Sequence, residues 1–135
     1  MTGRILLVEA DAVLAALLTE VLRYDGYEVI FLKTLTQGGV EWIDSVNVVI
    51  LDIDTTSAEQ ELTWLHKVMP YDASLPIVLL GLQAPRDLPL RLWEQLGCQQ
   101  TLVQKPFRHE ELLAVVRGAS ESNLPGRANM KSRQF

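Results

Sequence analysis

Three ionisable residues stand at the ends of apolar runs. Glu9 follows "RILLV", Asp52 closes "NVVILD", and Lys105 follows "TLVQ" and precedes Pro106. A charged residue at a strand end is most often a turn or cap residue, so each alone carries little weight. Together they describe a chemistry. Two carboxylates brought close repel one another unless a cation lies among them. A hard divalent cation such as Mg²⁺ takes oxygen ligands and keeps several waters. An amine nearby is a point charge for an anion, typically a phosphoryl oxygen. A carboxylate activated beside such a cation can attack a phosphoryl group and become an acyl phosphate.

That chemistry requires the three residues to meet, and the alternation of elements supplies the means. "RILLV" (4–8), "YEVIFL" (27–32), "NVVILDI" (47–53), "LPIVLLG" (75–81) and "TLVQ" (101–104) read as strands. The third and fourth are nearly all apolar, as parallel strands covered on both faces are. Helical period runs through 11–24, 35–45, 58–69, 86–96 and 108–118. The first helix has a stripe of Val13, Leu14, Leu17, Leu18, Val21 and Leu22, with Asp11 placed to cap it and Gly26 just past its end. Gly38 and Gly39 weaken the second. Leu62, Leu65 and Val68 mark the third, Leu88, Leu92 and Leu96 the fourth, and Leu112, Leu113, Val115 and Val116 the fifth.

Strand–helix repeated five times predicts a parallel α/β sheet with right-handed crossovers and helices on both faces. In the sheet order 2-1-3-4-5 the strand direction of build-up reverses between strands 1 and 3, and ligands bind beyond the carboxyl ends there. Glu9, Asp52 and Lys105 all end their strands at that edge. The expected domain spans 1–118. The polar, aperiodic stretch 119–135 is expected to be a flexible tail or linker.

The chain has 135 residues, 48% of them hydrophobic, enough for one core, and a net charge of −5 that argues against a nucleic-acid surface. Its one cysteine, Cys98, forms no internal disulfide and fits a reducing cytoplasm. No apolar stretch approaches the roughly 18 residues of a membrane span, and the N-terminal apolar run is too short for a secretory signal. His66 and His109 have no partner at metal-ligand spacing. Trp42 and Trp64 read as packing residues. Trp93, on segment 86–96, reads as core before interface anchor.

Over residues 4 to 117, "LLVEAD", "VVILDID", "LPIVLLG" and "LVQKPF" make the chain resemble a bacterial two-component response-regulator receiver domain of the CheY-like kind. The resemblance implies a flavodoxin-like three-layer (βα)5 sandwich and a phosphorelay role in the cytoplasm. It implies that Asp52 takes a phosphoryl group from a histidine kinase or phosphotransfer protein with Mg²⁺ bound. Lys105 would contact that group. Glu9 and Asp52 would hold the metal, and Asp54 would offer its backbone carbonyl, its side chain facing solvent. Such a domain is no enzyme beyond its own phosphotransfer, and its 86–118 face would meet an effector or a second copy.

Four positions depart from the pattern. Ala10 replaces the second of two adjacent acids. At an effective dielectric of 20, a carboxylate about 6 Å from a unit charge contributes on the order of 3 kcal/mol before desolvation, so weaker metal binding is expected. Gly81 replaces the Ser or Thr whose hydroxyl would reach the phosphoryl group, a bond worth roughly 1.5–3 kcal/mol. Leu102 stands at the aromatic switch position. Thr55, Thr56 and Ser57 replace the proline and glycine usual in the loop after Asp52. These departures favour a second reading, a pseudo-receiver acting through protein contacts without phosphorylation. A flavodoxin-like cofactor domain is a third: flavin phosphate needs a loop rich in backbone N–H donors after strand 1, and "EADA" offers carboxylates instead.

Overall fold

The computed structural model describes residues 3–35, 45–54, 60–61, 63–64, 75–81 and 100–122. Five strands, β1 (Arg4–Val8), β2 (Glu28–Leu32), β3 (Val48–Asp52), β4 (Ile77–Gly81) and β5 (Gln100–Gln104), form one parallel sheet. Their order is β2-β1-β3-β4-β5, the order expected for the fold the sequence resembles. Among the described residues, helices α1 (Ala12–Tyr24) and α2 (His109–Ser122) accompany them. Of the expected helix 58–69, residues 60, 61, 63 and 64 are helical. The expected helix 86–96, with Trp93, lies outside the described residues, as do nearly all of 35–45, Cys98, His66, Trp42 and residues 123–135.

The pleat explains why the strands are apolar throughout. Successive side chains point to opposite faces. Ile5, Leu7, Val48, Ile50, Val78, Leu80 and Val103 meet Leu18 and Leu22 of α1 and Leu112 and Val116 of α2 on one face. Leu6, Val8, Val49, Leu51, Ile77 and Leu79 line the other, with Leu35, Val46, Ile53 and Leu75. Trp64 packs against this second cluster, as a packing residue should. Each such side chain contributes roughly 1.5–3 kcal/mol on full burial.

α1 starts where Asp11 accepts from the Val13 N–H at 2.9 Å and the Leu14 N–H at 3.1 Å through Oδ1. It stops at Gly26, whose φ of 97° favours glycine. There the Gly26 N–H bonds the Arg23 carbonyl and the Tyr27 N–H bonds that of Leu22. The apolar stripe is wider than the face that packs. Leu18 and Leu22 are buried, whereas Val13 and Leu17 are exposed. α2 runs to Ser122, past the expected end at 118, because its inner stripe continues through Ala119 and the buried Ser120. Arg117 fixes this helix to the end of α1 with two bonds to the Asp25 carboxylate, at 2.9 and 2.6 Å.

Candidate functional site at the carboxyl edge of the sheet

Asp52 is the last residue of β3, held in the ladder opposite Leu80. Glu9 is the first residue after β1, and its N–H donates to the Leu32 carbonyl at 3.1 Å, extending the ladder to β2 by one step. Lys105 follows β5, and its N–H donates to the Gly81 carbonyl at 2.7 Å. The Lys105–Pro106 peptide bond is cis. Glu9, Asp52 and Lys105 are in phase with Leu7, Ile50 and Val103, the strand residues of the α1 face. Alternation therefore delivers them to the same side of one edge.

The three side chains meet. Lys105 Nζ donates to Asp52 Oδ2 at 2.8 Å, and Asp52 Oδ1 accepts from the Asp54 N–H at 2.8 Å. Both acids are almost wholly buried, Glu9 at 2% and Asp52 at 5% exposure, and the Lys105 side chain remains 20% exposed. Glu9 Oε2 accepts from the Asp11 N–H at 3.1 Å, while its buried Oε1 has no donor among the described residues.

Charge in this pocket is unevenly held. Burial, then the neighbouring Asp52 carboxylate, pushes the Glu9 carboxyl up to about 7. Burial also opposes the Asp52 carboxylate, but bonds from Glu9, Lys105 and the Asp54 N–H outweigh it and hold the group below its usual range. The Lys105 ammonium is desolvated, and its contacts with Asp52 and Asp54 more than compensate, raising its pKa. Two carboxylates bond each other only through a shared proton. Once Glu9 loses its proton, it places a like charge beside Asp52.

That orphaned oxygen beside a second carboxylate fits a divalent cation. Among the described residues no three His, Cys, Asp or Glu side chains converge as a closed metal cage would require. A pair of carboxylates with water completing the shell is what Mg²⁺ accepts. Ala10 is exposed and contributes no oxygen from its side chain.

The side chain of Asp54 departs from expectation. It does not face solvent alone: Oδ2 lies 3.3 Å from Lys105 Nζ. The physical reason is the bend at Asp54, whose N–H is held by Asp52 Oδ1 at 2.8 Å, which keeps the two residues together beside the amine. The "DID" spacing carried that signal. Gly81 ends β4, and a Cβ there would meet Ile53 Cγ1 at 2.8 Å, Ile53 Cδ1 at 3.0 Å and Asp54 Oδ1 at 3.3 Å. Leu102 pairs with Leu79 and is half-buried against the second core cluster, with no polar tip to turn outward. Asp11 caps α1 and does not join the site, as its spacing predicts. His109 is exposed, 3.3 Å from Glu110.

No family model matches the chain. It is 31% identical over 126 residues, 90% of its length, to the uncharacterized transcriptional regulatory protein YkoG of Bacillus subtilis (strain 168), of which it covers 52%. It is 30% identical over 118 residues, 87% of its length, to the uncharacterized transcriptional regulatory protein YbdJ of the same organism, of which it covers 51%. The chain thus spans about half the length of these relatives. Among solved structures it superposes on a CheY-like response regulator receiver domain protein from Methanospirillum hungatei JF-1. The TM-score is 0.72 at 20% identity, covering 91% of this chain and 97% of that one.

The chain has the fold of CheY-like receiver domains. The sheet order and the extent of that match agree with the five-stranded parallel α/β fold expected from the sequence. Among the described residues no helix is long and apolar enough to cross a membrane.

Proposed function

We propose that this receiver domain accepts a phosphoryl group on Asp52 and relays a signal through protein contacts. The observation that carries the reading is the 2.8 Å contact between Lys105 Nζ and Asp52 Oδ2, made beside the buried Glu9. In the transfer, a carboxylate oxygen of Asp52 attacks the phosphorus of a phosphohistidine on a kinase or phosphotransfer protein. The new O–P bond forms as the P–N bond breaks, and its electron pair stays on the imidazole nitrogen. Lys105 lies where it can take the charge that gathers on the phosphoryl oxygens.

Glu9 and Asp52 would hold Mg²⁺, with the backbone carbonyl of Asp54 as a further oxygen, and the ion would neutralise the transferring group. Without an acid at Ala10 the ion is held weakly. The domain carries out no turnover on a separate substrate. Its output passes to another domain or protein, in keeping with the description of YkoG and YbdJ as transcriptional regulatory proteins. We read residues 1–118 as the receiver unit and the cytoplasm as its place, with direct contact to neither nucleic acid nor membrane. The 86–118 face is the proposed surface for an effector or a second copy.

A phosphorylation-independent interaction module is the second reading. Gly81 and Leu102 favour it, since neither supplies the side chain through which a phosphoryl group would usually move the surface. Incubation with Mg²⁺ and acetyl phosphate, followed by intact mass, decides between them. A gain of one phosphoryl group, absent in Asp52→Asn, supports the acceptor; no gain at millimolar Mg²⁺ leaves the interaction module.

A further inference from the structure

Asp54 and Gly81 form one arrangement. The Asp54 carboxylate reaches Lys105 Nζ at 3.3 Å through Oδ2, while Oδ1 lies 3.3 Å from where a Cβ on Gly81 would stand. The Ile53 side chain is closer still to that point, at 2.8 Å. Any side chain at position 81 would have to displace Ile53, which is buried in the second core cluster, and crowd Asp54. The bare strand end at Gly81 is what lets the "DID" segment close over β4 and aim a second carboxylate at the amine.

We propose that Asp54 is a positioning residue that competes with an incoming phosphoryl group for Lys105. The proposal rests on Asp52 as the acceptor. Lys105 is shared between two carboxylates before any phosphoryl group arrives. The transferred group brings a charge of about −1.5 to −2. To contact it, the ammonium must loosen from Asp54, and the Asp54 carboxylate stays beside the new anion as a like charge. The resting site therefore already satisfies its amine with an internal anion. Acceptance is slowed, and the chain in its unmodified state holds Lys105 much as a modified one would.

The test compares the wild type with Asp54→Asn, Asp54→Glu and Gly81→Ala, each checked for an intact fold by thermal melting. Acceptance from acetyl phosphate with Mg²⁺ is followed by intact mass. Asp54→Asn keeps the shape and removes the charge, and is expected to accept about tenfold faster, one decade of rate. Asp54→Glu restores a carboxylate and is expected to return acceptance toward the wild-type rate. Gly81→Ala pushes the segment off the amine and is expected to speed acceptance. Added to Asp54→Asn it adds nothing, because the competing charge is already gone.

A parallel titration with inorganic phosphate, read from the NMR signal of the Lys105 ammonium, needs no covalent chemistry. Asp54→Asn is expected to bind phosphate several-fold more tightly there. Where acyl phosphate forms, unchanged or slower acceptance in Asp54→Asn overturns the proposal. Where it forms in no variant, the acceptor reading falls and the titration decides alone: equal phosphate affinity in wild type and Asp54→Asn overturns the competition, tighter binding upholds it.

Discussion

Glu9 and Asp52 lie one step beyond the last paired residues of neighbouring strands, Val8 and Leu51, and hold their protons oppositely. Glu9 is pushed up to about 7 by burial and by its neighbour, while Asp52 stays below its usual range despite burial. The folded chain therefore keeps a proton on Glu9 that the unfolded chain releases above about 4.5. Stability from this site is full below that value and declines as pH rises through about 7, because the native state binds more protons in that window. Glu9→Gln keeps a donor toward Asp52 at every pH. It should raise stability at pH 8 by about 2 kcal/mol, less than the full shift because the proton is shared with Asp52, and change little at pH 4. Urea melts of both proteins at the two pH values measure the difference. A gain of equal size at both would show that Glu9 does not titrate in the native state.

Lys105 is the single cation joined to this pair among the described ion pairs. Lys105→Met keeps most of the stem and removes the charge. Asp52 then loses its bond from the amine inside a nearly closed pocket, and the expected cost is about 1–3 kcal/mol. Acceptance from acetyl phosphate should fall by on the order of a hundredfold, the scale of losing one preorganised charge contact. Stopped-time intact mass gives the rate, and a rate equal to wild type would remove Lys105 from the proposed site.

The Arg117–Asp25 pair behaves in the opposite sense to Glu9. The bonds from Arg117 hold the Asp25 carboxyl below its usual range. Its contribution is present above the unfolded value of 3.8 and is lost as pH falls through the lower folded value. Asp25→Asn should lower the melting temperature slightly at pH 7 and not at pH 2, and the loss at pH 7 should shrink in 1 M salt, because the pair is open to solvent. Calorimetry at the two pH values reads both effects.

Much of the site was legible before the structure because two simple periods place it. The alternation of apolar runs with helical period gives a parallel sheet, the resemblance to receiver domains implies its order, and the pleat then puts Glu9, Asp52 and Lys105 on one side of one edge. The orientation of the Asp54 side chain was less legible. It depends on Ile53 packing over Gly81, a contact between residues far apart in sequence. The length of α2 was hidden for a related reason. Ala119 and Ser120 look like the start of a polar tail until Ala119 is seen packed against the core cluster under α1 and α2 and Ser120 is seen buried. The breadth of the α1 stripe misled in the other direction, since hydrophobic period marks a face without saying how much of it a sheet will cover.

Ala10 offers the sharpest test of the metal. Its side chain is exposed, between Glu9, whose Oε1 lacks a donor among the described residues, and Asp11, which is committed to capping α1. Ala10→Asp adds a carboxylate at the rim without displacing a buried group. The unscreened gain is on the order of 3 kcal/mol for a unit charge at about 6 Å, and desolvation removes part of it. The expected outcome is at least tenfold tighter Mg²⁺ binding by isothermal titration at pH 7.5. Binding should also release a proton below about pH 7, where Glu9 still holds one, visible as a heat that depends on the ionisation enthalpy of the buffer. Asp52→Asn in the same background should abolish the gain. If Ala10→Asp leaves Mg²⁺ affinity unchanged, the cation does not sit between Glu9 and Asp52.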